Sequence, residues 1–253
     1  MTGLEQAAVF AAGIGAGAIN AVVGSGTLIT FPVLLAVGYS PVVANVSNTV
    51  GLAPGSASAA YGYRRELAGQ GARLVRLSLA SLAGGITGAI LLLVLPDRAF
   101  KAIVPVLIAL ACVLVVCQPA LTRRLRRLSG EAPSPAHVPP WLFVAVYGAG
   151  IYGGYFGAAQ GVLLIGLLGL ALHENLQRIN AAKNVLAGLV NLVAAVVFVF
   201  SAEIAWHPAS LIAVGSVVGG QIGALVGRRL PPAVLRGFIV VIGILAMVKL
   251  LTD

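Results

Sequence analysis

Long apolar runs, separated by short polar or charged segments, follow one another along almost the whole chain. Runs of this kind predict membrane helices, since a bilayer core of ~30 Å is crossed by ~20 helical residues. The first run begins near Gln6 and is interrupted at Gly24-Ser25-Gly26-Thr27, and the apolar stretch that follows, 28–37, is too short to cross. Glycines beside a short polar step predict that one helix ends and another begins. We therefore interpret residues 6–38 as a re-entrant hairpin, which enters the membrane and returns.

The second half of the chain repeats the first at a constant offset of 135 residues. The matched positions include polar residues and prolines, so a shared apolar composition is a poor alternative explanation. The matches include Gly13 with Gly148, Gly26 with Gly161, Asn45 with Asn180, Ser81 with Ser216, Gly84-Gly85 with Gly219-Gly220, and Pro96 with Pro231. This pattern predicts an internal duplication.

The predicted fold is an all-α polytopic membrane protein built from two inverted repeats. Each repeat is a broken-helix hairpin followed by three transmembrane helices, and this odd number of crossings inverts one repeat relative to the other. Repeat 1 is 1–121, with the hairpin 6–38 and spans 42–63, 77–95 and 101–121; a basic Pro/Ser-rich linker is 122–140; repeat 2 is 141–253, with the hairpin 141–172 and spans 179–201, 208–230 and 232–252.

Charge gives the expected orientation. The chain of 253 residues is 59% hydrophobic and 9% charged, with a net charge of +9, whereas soluble domains carry about 25% charged residues. A cytoplasmic position for Arg64–Arg76 places most basic residues inside, as the positive-inside rule requires; the linker is then cytoplasmic and both termini lie outside. Nucleic acid is therefore not needed to explain the charge. The inner basic residues would be Arg64, Arg65, Arg73, Arg76, Arg123, Arg124, Arg126, Arg127, Arg178, Lys183, Arg228, Arg229 and Arg236, and the outer ones Arg98, Lys101 and Lys249.

Inverted repeats with discontinuous helices are typical of secondary transporters, whose binding site lies near the midplane. Helix N-termini present free N–H groups and a partial positive charge, so two such ends, near Gly26 and Gly161, predict a site for a small anion. The acidic residues fall at helix ends or in loops, whereas a cation carrier usually needs an intramembrane carboxylate. The candidate binding residues are Gly24, Ser25, Gly26, Thr27, Asn45, Asn48, Thr49, Gln160, Gly161, Asn180, Lys183 and Asn184.

Several of these residues have a second interpretation. An asparagine in a membrane helix also serves as an interhelical hydrogen-bond donor that holds a bundle together. Lys183 either snorkels to the inner interface or supplies a fixed positive charge for the anion. The pairs Gly84-Gly85 and Gly219-Gly220 predict close helix packing.

The function also has alternatives, namely a transporter of a cation or of another organic acid, and an intramembrane serine hydrolase that uses Ser25. The hydrolase would need a histidine within a helix, whereas the three histidines fall at helix ends or in loops. Cys112 and Cys117 have the wrong spacing for a redox or zinc pair. We expect no catalytic residue, metal or cofactor.

The stretch G-x-G-A-G-x-x-N-A-x-x-G-S-G-T-x-x-x-x-P, Gly13–Pro32, together with Val42–Thr49, resembles the sulfite exporter TauE/SafE family. The second half is similar in G-x-x-Q-G-V-L-L, Gly157–Leu164, and in I-N-A-A-K-N, Ile179–Asn184. The family's usual longer glycine run is interrupted here by Ser25, and Gln160 stands where a glycine or a proline-rich step is common.

This resemblance covers essentially the whole chain. It implies a permease of the bacterial inner membrane, not an enzyme, that moves small sulfur-containing or sulfonated organic anions such as sulfite or sulfoacetate. It also implies that the hairpin tips and the Asn/Thr segments that follow them form the anion site. A coupling ion, either a proton or sodium, and a homodimer stay open as further partners besides the lipid bilayer.

Overall fold

The structure, a computed structural model, describes residues 1–128, 138–172 and 174–226, together with positions 237, 240, 241, 244 and 247. These residues form helices and turns without a strand, which confirms the all-α prediction. The predicted span 232–252 lies largely outside the described residues. The helices are α1 (Gly3–Val22), α2 (Thr27–Ala36), α3 (Pro41–Gly62), α4 (Gly71–Val94), α5 (Asp97–Leu128), α6 (Pro140–Tyr155), α7 (Gln160–Leu172), α8 (Leu176–Ser201) and α9 (Trp206–Val226).

Four of the described helices, α4, α5, α8 and α9, are long and apolar enough to cross a bilayer. The apolar helices α2 and α7 have 10 and 13 residues and are too short to do so. The predicted span 42–63 corresponds to α3, which is long enough but less apolar, because its buried residues include several polar ones. Its buried polar residues are Asn45, Ser47, Asn48, Thr49 and Ser56. The crossing by α3 stays a prediction.

Helix α5 extends beyond the predicted span 101–121 and ends at Leu128. The first seven residues assigned to the linker 122–140 are therefore helical. Arginine and leucine are both good helix formers, so the arginine-rich sequence after residue 121 continues the apolar helix. Residues 129–137 of the predicted linker lie outside the described part of the chain.

The helix packing repeats between the two halves. Helix α1 packs along α9 and α6 packs along α4, while α3 and α8 lie between these pairs and contact each other. Glycines make both outer contacts close: Gly84 and Gly88 lie against the backbone of α6, and their equivalents Gly219 and Gly223 lie against the backbone of α1. The close packing predicted for the glycine pairs is confirmed.

Side-chain hydrogen bonds between the helices repeat as well. Ser81 Oγ donates to the carbonyl of Leu186 at 3.1 Å. Ser216 Oγ donates to the carbonyl of Gly51 at 2.9 Å. Ser216 is the equivalent of Ser81, and Gly51 is the equivalent of Leu186, at the 135-residue offset. Ser56 and Asn191 are equivalent to each other, and Asn191 Nδ2 donates to Ser56 Oγ at 3.0 Å. The two central helices α3 and α8 therefore meet at equivalent positions.

One face of the molecule is held by ion pairs between the α3–α4 and α7–α8 connections. Glu174 pairs with Arg73 at 2.9 Å and with Arg178, and all three side chains are at least two-thirds buried. Gln70 Nε2 donates to the carbonyl of Arg178 at 3.2 Å. Burial would raise the pKa of Glu174, but hydrogen bonds from Arg178 and Arg73 outweigh it and leave this pKa below its ordinary value.

We expect Gly84→Ala to lower the melting temperature, because a methyl group at this position would overlap the carbonyl oxygen of Tyr147. Overpacking of this kind costs about 1–3 kcal/mol. Thermal unfolding of the detergent-purified protein measures the change. Gly148→Ala is the matched control, since nothing lies within 4 Å of a methyl group there. Equal melting temperatures for both variants would contradict the close packing.

Glu174→Gln should destabilise the protein at pH 7 but make little difference in acid. A carboxyl with a lowered folded-state pKa stabilises the fold above its ordinary pKa of 4.5, and that contribution is lost as the pH falls through the lower folded-state value. The difference in melting temperature between wild type and variant should be full at pH 7 and shrink below pH 4.5. A difference that is constant with pH would show that ionised Glu174 does not stabilise this face.

Candidate functional site

The breaks that separate α1 from α2 and α6 from α7 lie against each other. The N–H of Gly161, in the first turn of α7, donates to the carbonyl of Gly24 at 3.1 Å. Gly24 has φ +84°, and Ala159, its equivalent at the 135-residue offset, has φ +60°. The same left-handed conformation therefore occurs at the same place in both halves. The two breaks form one continuous region, which is the candidate site.

Each break begins with the same kind of helix end. The N–H groups of Val23 and Gly24 both donate to the carbonyl of Ile19, at 2.7 and 3.1 Å. In the second half, the N–H groups of Phe156 and Gly157 both donate to the carbonyl of Tyr152 at 3.0 Å. A glycine in the left-handed conformation is a common helix terminator, and both Gly24 and Gly157 adopt it.

After the first break, the chain turns back on itself. Gly26 lies against the carbonyl of Ala16, and the Ile29 side chain lies beside Gly15. Helix α2 thus runs back along the second half of α1. The order of helix, break and short returning helix agrees with the hairpin interpretation of residues 6–38, and its depth in a bilayer stays a prediction.

Three side chains of α8 bind the carboxyl end of α1. Lys183 Nζ donates to the carbonyls of Asn20 at 2.8 Å and Ala21 at 3.3 Å. Asn180 Nδ2 and Asn184 Nδ2 each donate to the carbonyl of Ala21 at 3.1 Å. The last carbonyls of a helix have no partner within it and carry partial negative charge, so a lysine suits this position.

The environment of Lys183 excludes one of its two interpretations. Its side chain is fully buried, with 0% exposure, and its ammonium group points at the end of α1. The snorkelling interpretation does not fit this burial, because the carbonyls of Asn20 and Ala21 hold the amino group inside the protein. The lysine also lies beside Gly161, where an added methyl group would meet its Cδ. It thus places a buried amino group next to the contact between the two breaks.

The first half has a related but uncharged arrangement. Asn45 Nδ2 donates to the carbonyl of Tyr155, at the end of α6, at 2.9 Å, as its equivalent Asn180 does at the end of α1. Asn48 stands at the position of Lys183 and donates instead to Thr27 Oγ1 at 3.2 Å, while it accepts a hydrogen bond from Thr30 Oγ1. Thr49 Oγ1 donates to the carbonyl of Asn45 at 2.9 Å. Asn48 therefore joins α3 to the start of α2.

Several buried polar atoms at the breaks have no hydrogen-bond partner within the described residues. Ser25 and Gln160 are equivalent at the 135-residue offset, as are Asn45 and Asn180, and one side-chain atom of each is unpartnered. Buried polar atoms are nearly always paired, so these positions indicate where a ligand or ordered water binds. The unpartnered atoms at the breaks are Ser25 Oγ, Asn45 Oδ1, Tyr155 OH, Gln160 Nε2 and Asn180 Oδ1.

The structure changes the predicted role of Gly161. Its N–H group is bonded to Gly24 and is not free to bind a ligand, so the start of α7 holds the two breaks together. At the start of α2, the N–H groups of Leu28 and Ile29 donate to the carbonyls of Ser25 and Gly26 at 3.2 and 2.9 Å. Gly24 acts through its conformation and its carbonyl. Neither helix start therefore presents the full set of free N–H groups that the prediction of two anion-binding helix ends assumes.

Two residues of this region are not among the candidate binding residues predicted from the sequence. Thr30 lies one helical turn after Thr27, and both contact Asn48; the threonine spacing on α2 was the available signal. Tyr155 presents an unpartnered hydroxyl and its ring packs 5.7 Å from that of Phe100. The 135-residue offset pairs Tyr155 with Asn20, and Lys183 binds the carbonyl of Asn20. This equivalence was the available signal for Tyr155.

The described part of the chain offers no support for metal or serine chemistry. It contains no group of three His, Cys, Asp or Glu side chains that could hold a metal ion. Ser25 Oγ has no hydrogen-bond partner there. His207 is exposed at the start of α9, while His137 and His173 lie outside the described residues.

Comparison with known proteins gives a consistent set of similarities. The sequence model of the sulfite exporter TauE/SafE family matches residues 9–250. The probable membrane transporter protein ORF9 of Sinorhizobium sp is 28% identical over 249 residues, which cover 97% of this chain and 92% of that protein. The probable membrane transporter protein YfcA of Escherichia coli K12 is 26% identical over 241 residues, covering 94% and 86%. A probable membrane transporter protein of Haemophilus influenzae is 26% identical over 249 residues, covering 98% and 94%. No solved structure matches the chain.

Gly24→Ala should destabilise the protein strongly, since the residue has a positive φ and an added methyl group would overlap the backbone of Gly161. Strain at such a position costs about 1–3 kcal/mol, and thermal unfolding measures it. Gly15→Ala on the same hairpin is the control, because the nearest atom to its methyl group would be 3.9 Å away. If both variants melt at the same temperature, the two breaks do not meet as described.

Proposed function

Because the chain belongs to the sulfite exporter TauE/SafE family of membrane transporters, we propose that it is a permease for a small anion, either a sulfur oxyanion or an organosulfonate of the sulfite or sulfoacetate type. The substrate binds near the bilayer midplane, where the two breaks meet. The protein lies in a bacterial inner membrane, with the linker in the cytoplasm and both termini outside.

The buried Lys183 carries this proposal, with its amino group held in the charged form by the bound anion. A charge that is removed from water costs several kcal/mol unless it is paired. Among the described residues, Lys183 has helix carbonyls but no carboxylate as partners, and the described acidic residues lie at helix ends or in connections. Helix carbonyls supply partial charges only. An anion beside the lysine would complete the compensation.

The unpartnered atoms suit the oxygens of a sulfite or sulfonate group. The hydroxyls of Ser25 and Tyr155 and the amide Nε2 of Gln160 can all donate, and each lies at a break. An oxyanion with three acceptor oxygens would bind such donors, with Lys183 contributing charge.

A cation fits this arrangement less well. Of the unpartnered atoms at the breaks, only the Oδ1 atoms of Asn45 and Asn180 are pure acceptors. The carbonyls at the end of α1 already accept hydrogen bonds from α8. A second cation would also be repelled by the charge of Lys183.

The inverted-repeat interpretation is supported by two observations. Helix α1 packs on α9 as its equivalent α6 packs on α4, and the hydrogen bonds of Ser81 and Ser216 join equivalent residues. In this arrangement α2 and α7 are the returning arms of two re-entrant hairpins that enter from opposite faces. The face that carries Arg73 and Arg178 is cytoplasmic, because most basic residues of the loops then lie inside.

Sulfite, sulfoacetate or thiosulfate should raise the melting temperature of the purified protein, whereas sodium or nickel chloride should not. A ligand that binds only the folded state stabilises it by about 2.7 kcal/mol at a hundredfold excess over Kd. Lys183→Met should abolish this shift, and Asn180→Ala should reduce it.

Lys101→Met, at the exposed start of α5, is the matched control and should keep the full shift. Stabilisation by cations alone, or a sulfite shift that survives in Lys183→Met, would contradict the anion site. Because Lys183 also binds the end of α1, we expect the variant to melt lower without ligand, so each shift is measured against its own baseline.

A further inference from the structure

The two faces of the molecule differ at equivalent positions of the repeats. On one face, Gln70, Arg73, Glu174 and Arg178 form the ion-pair cluster that joins the α3–α4 and α7–α8 connections. We call this set the ion-pair cluster. At the 135-residue offset, the equivalent residues lie at the α8–α9 and α2–α3 connections, on the opposite face. The equivalents, in the same order, are Ala205, Pro208, Tyr39 and Val43.

These four equivalents line a cavity of about 440 Å³. The cavity therefore occupies, on its own face, the position that the ion-pair cluster fills on the opposite face. No ion pair joins the two connections around it within the described residues, and one hydrogen bond, from the N–H of Ala205 to Ser47 Oγ at 2.9 Å, links the α8–α9 connection to α3. The remaining lining residues are Gly38, Ser40, Glu203, Trp206 and His207.

We propose that this cavity is the outer mouth of the anion route and that the ion-pair cluster closes the equivalent inner mouth, an inference that rests on the proposed function. In inverted-repeat transporters one face opens while the other closes around a fixed central site. The structure has this asymmetry, with charge-assisted contacts on one face and an open space at the equivalent position of the other. The inner face is therefore closed, whereas the outer mouth is open down to a candidate site that is itself still covered, since Ser25 and Lys183 are buried and do not line the cavity.

Opening of the inner mouth separates Glu174 from Arg73 and Arg178. The ion pairs are largely buried, so they stabilise the closed inner face more than exposed pairs would. Once separated, the two guanidinium groups face the aqueous route and attract an anion. The outer mouth closes without ion pairs, since the residues equivalent to the ion-pair cluster carry no opposite charges. These residues are Tyr39, Val43, Ala205 and Pro208.

Cysteine reactivity tests the proposal without knowledge of the substrate. The full-length protein in detergent, with Cys112→Ser and Cys117→Ser, carries one new cysteine, and its rate of reaction with a negatively charged thiol reagent is measured. Val43→Cys reports on the outer cavity. Ala182→Cys reports on the inner face, because Ala182 is buried and equivalent to Ser47. Val43→Cys should react much faster than Ala182→Cys.

Glu174→Gln should then raise the rate at Ala182→Cys about tenfold by favouring the inward-open state, and lower the rate at Val43→Cys. Glu174→Asp should restore the original rates. Arg73→Gln is a second variant with the same expectation, in case Glu174→Gln does not fold. Ala194→Cys, fully buried within α8, is the control for general loosening and should stay unreactive.

Unchanged reactivity of Ala182→Cys in both cluster variants would overturn the proposal. So would slow labelling of Val43→Cys, or an equal rise at Ala194→Cys. These rates do not depend on anion binding. An absence of any anion-induced melting shift would reject the proposed function, while altered labelling would still identify the two mouths.

Discussion

A helix that ends in the interior of a protein leaves backbone carbonyls that neither water nor its own helix can satisfy. This constraint governs the centre of the molecule. The end of α1 is satisfied by Lys183, Asn180 and Asn184 from α8, and the end of α6 by Asn45 from α3. The central helices must therefore carry polar side chains, which explains why α3 is less apolar than the helices around it.

In the proposed function, the same polar centre also binds the substrate. Groups recruited to close the helix ends do not use all of their hydrogen-bonding capacity, and the unused atoms recur at equivalent positions in both halves. Symmetry is broken where Asn48 in one half is replaced by Lys183 in the other. A neutral amide bonds to threonines of α2, whereas the lysine bonds to the end of α1. In the proposed function, this one exchanged residue provides the preference for anions.

The two breaks and the order of the described helices could be predicted from the sequence, because helix length and glycine placement are local signals. The sequence also indicated Asn45, Asn180 and Lys183 near the breaks. It could not indicate that Gly161 donates to Gly24, or that Lys183 binds the end of α1, since both contacts join residues more than 130 positions apart. The helical continuation to Leu128 was missed because the basic residues after 121 were read as a linker. Tyr155 is not among the predicted binding residues because its role depends on which helix end it occupies.

The central claim is that the meeting point of the two breaks binds an oxyanion. A crystal structure of the protein with selenite, a heavier analogue of sulfite, tests this directly through the anomalous scattering of selenium. The account predicts a selenium peak between the breaks, within hydrogen-bonding distance of Ser25 Oγ or Gln160 Nε2 and close to Lys183 Nζ. Selenium found only at surface arginines, with the region between Gly24 and Gly161 unoccupied, would contradict it.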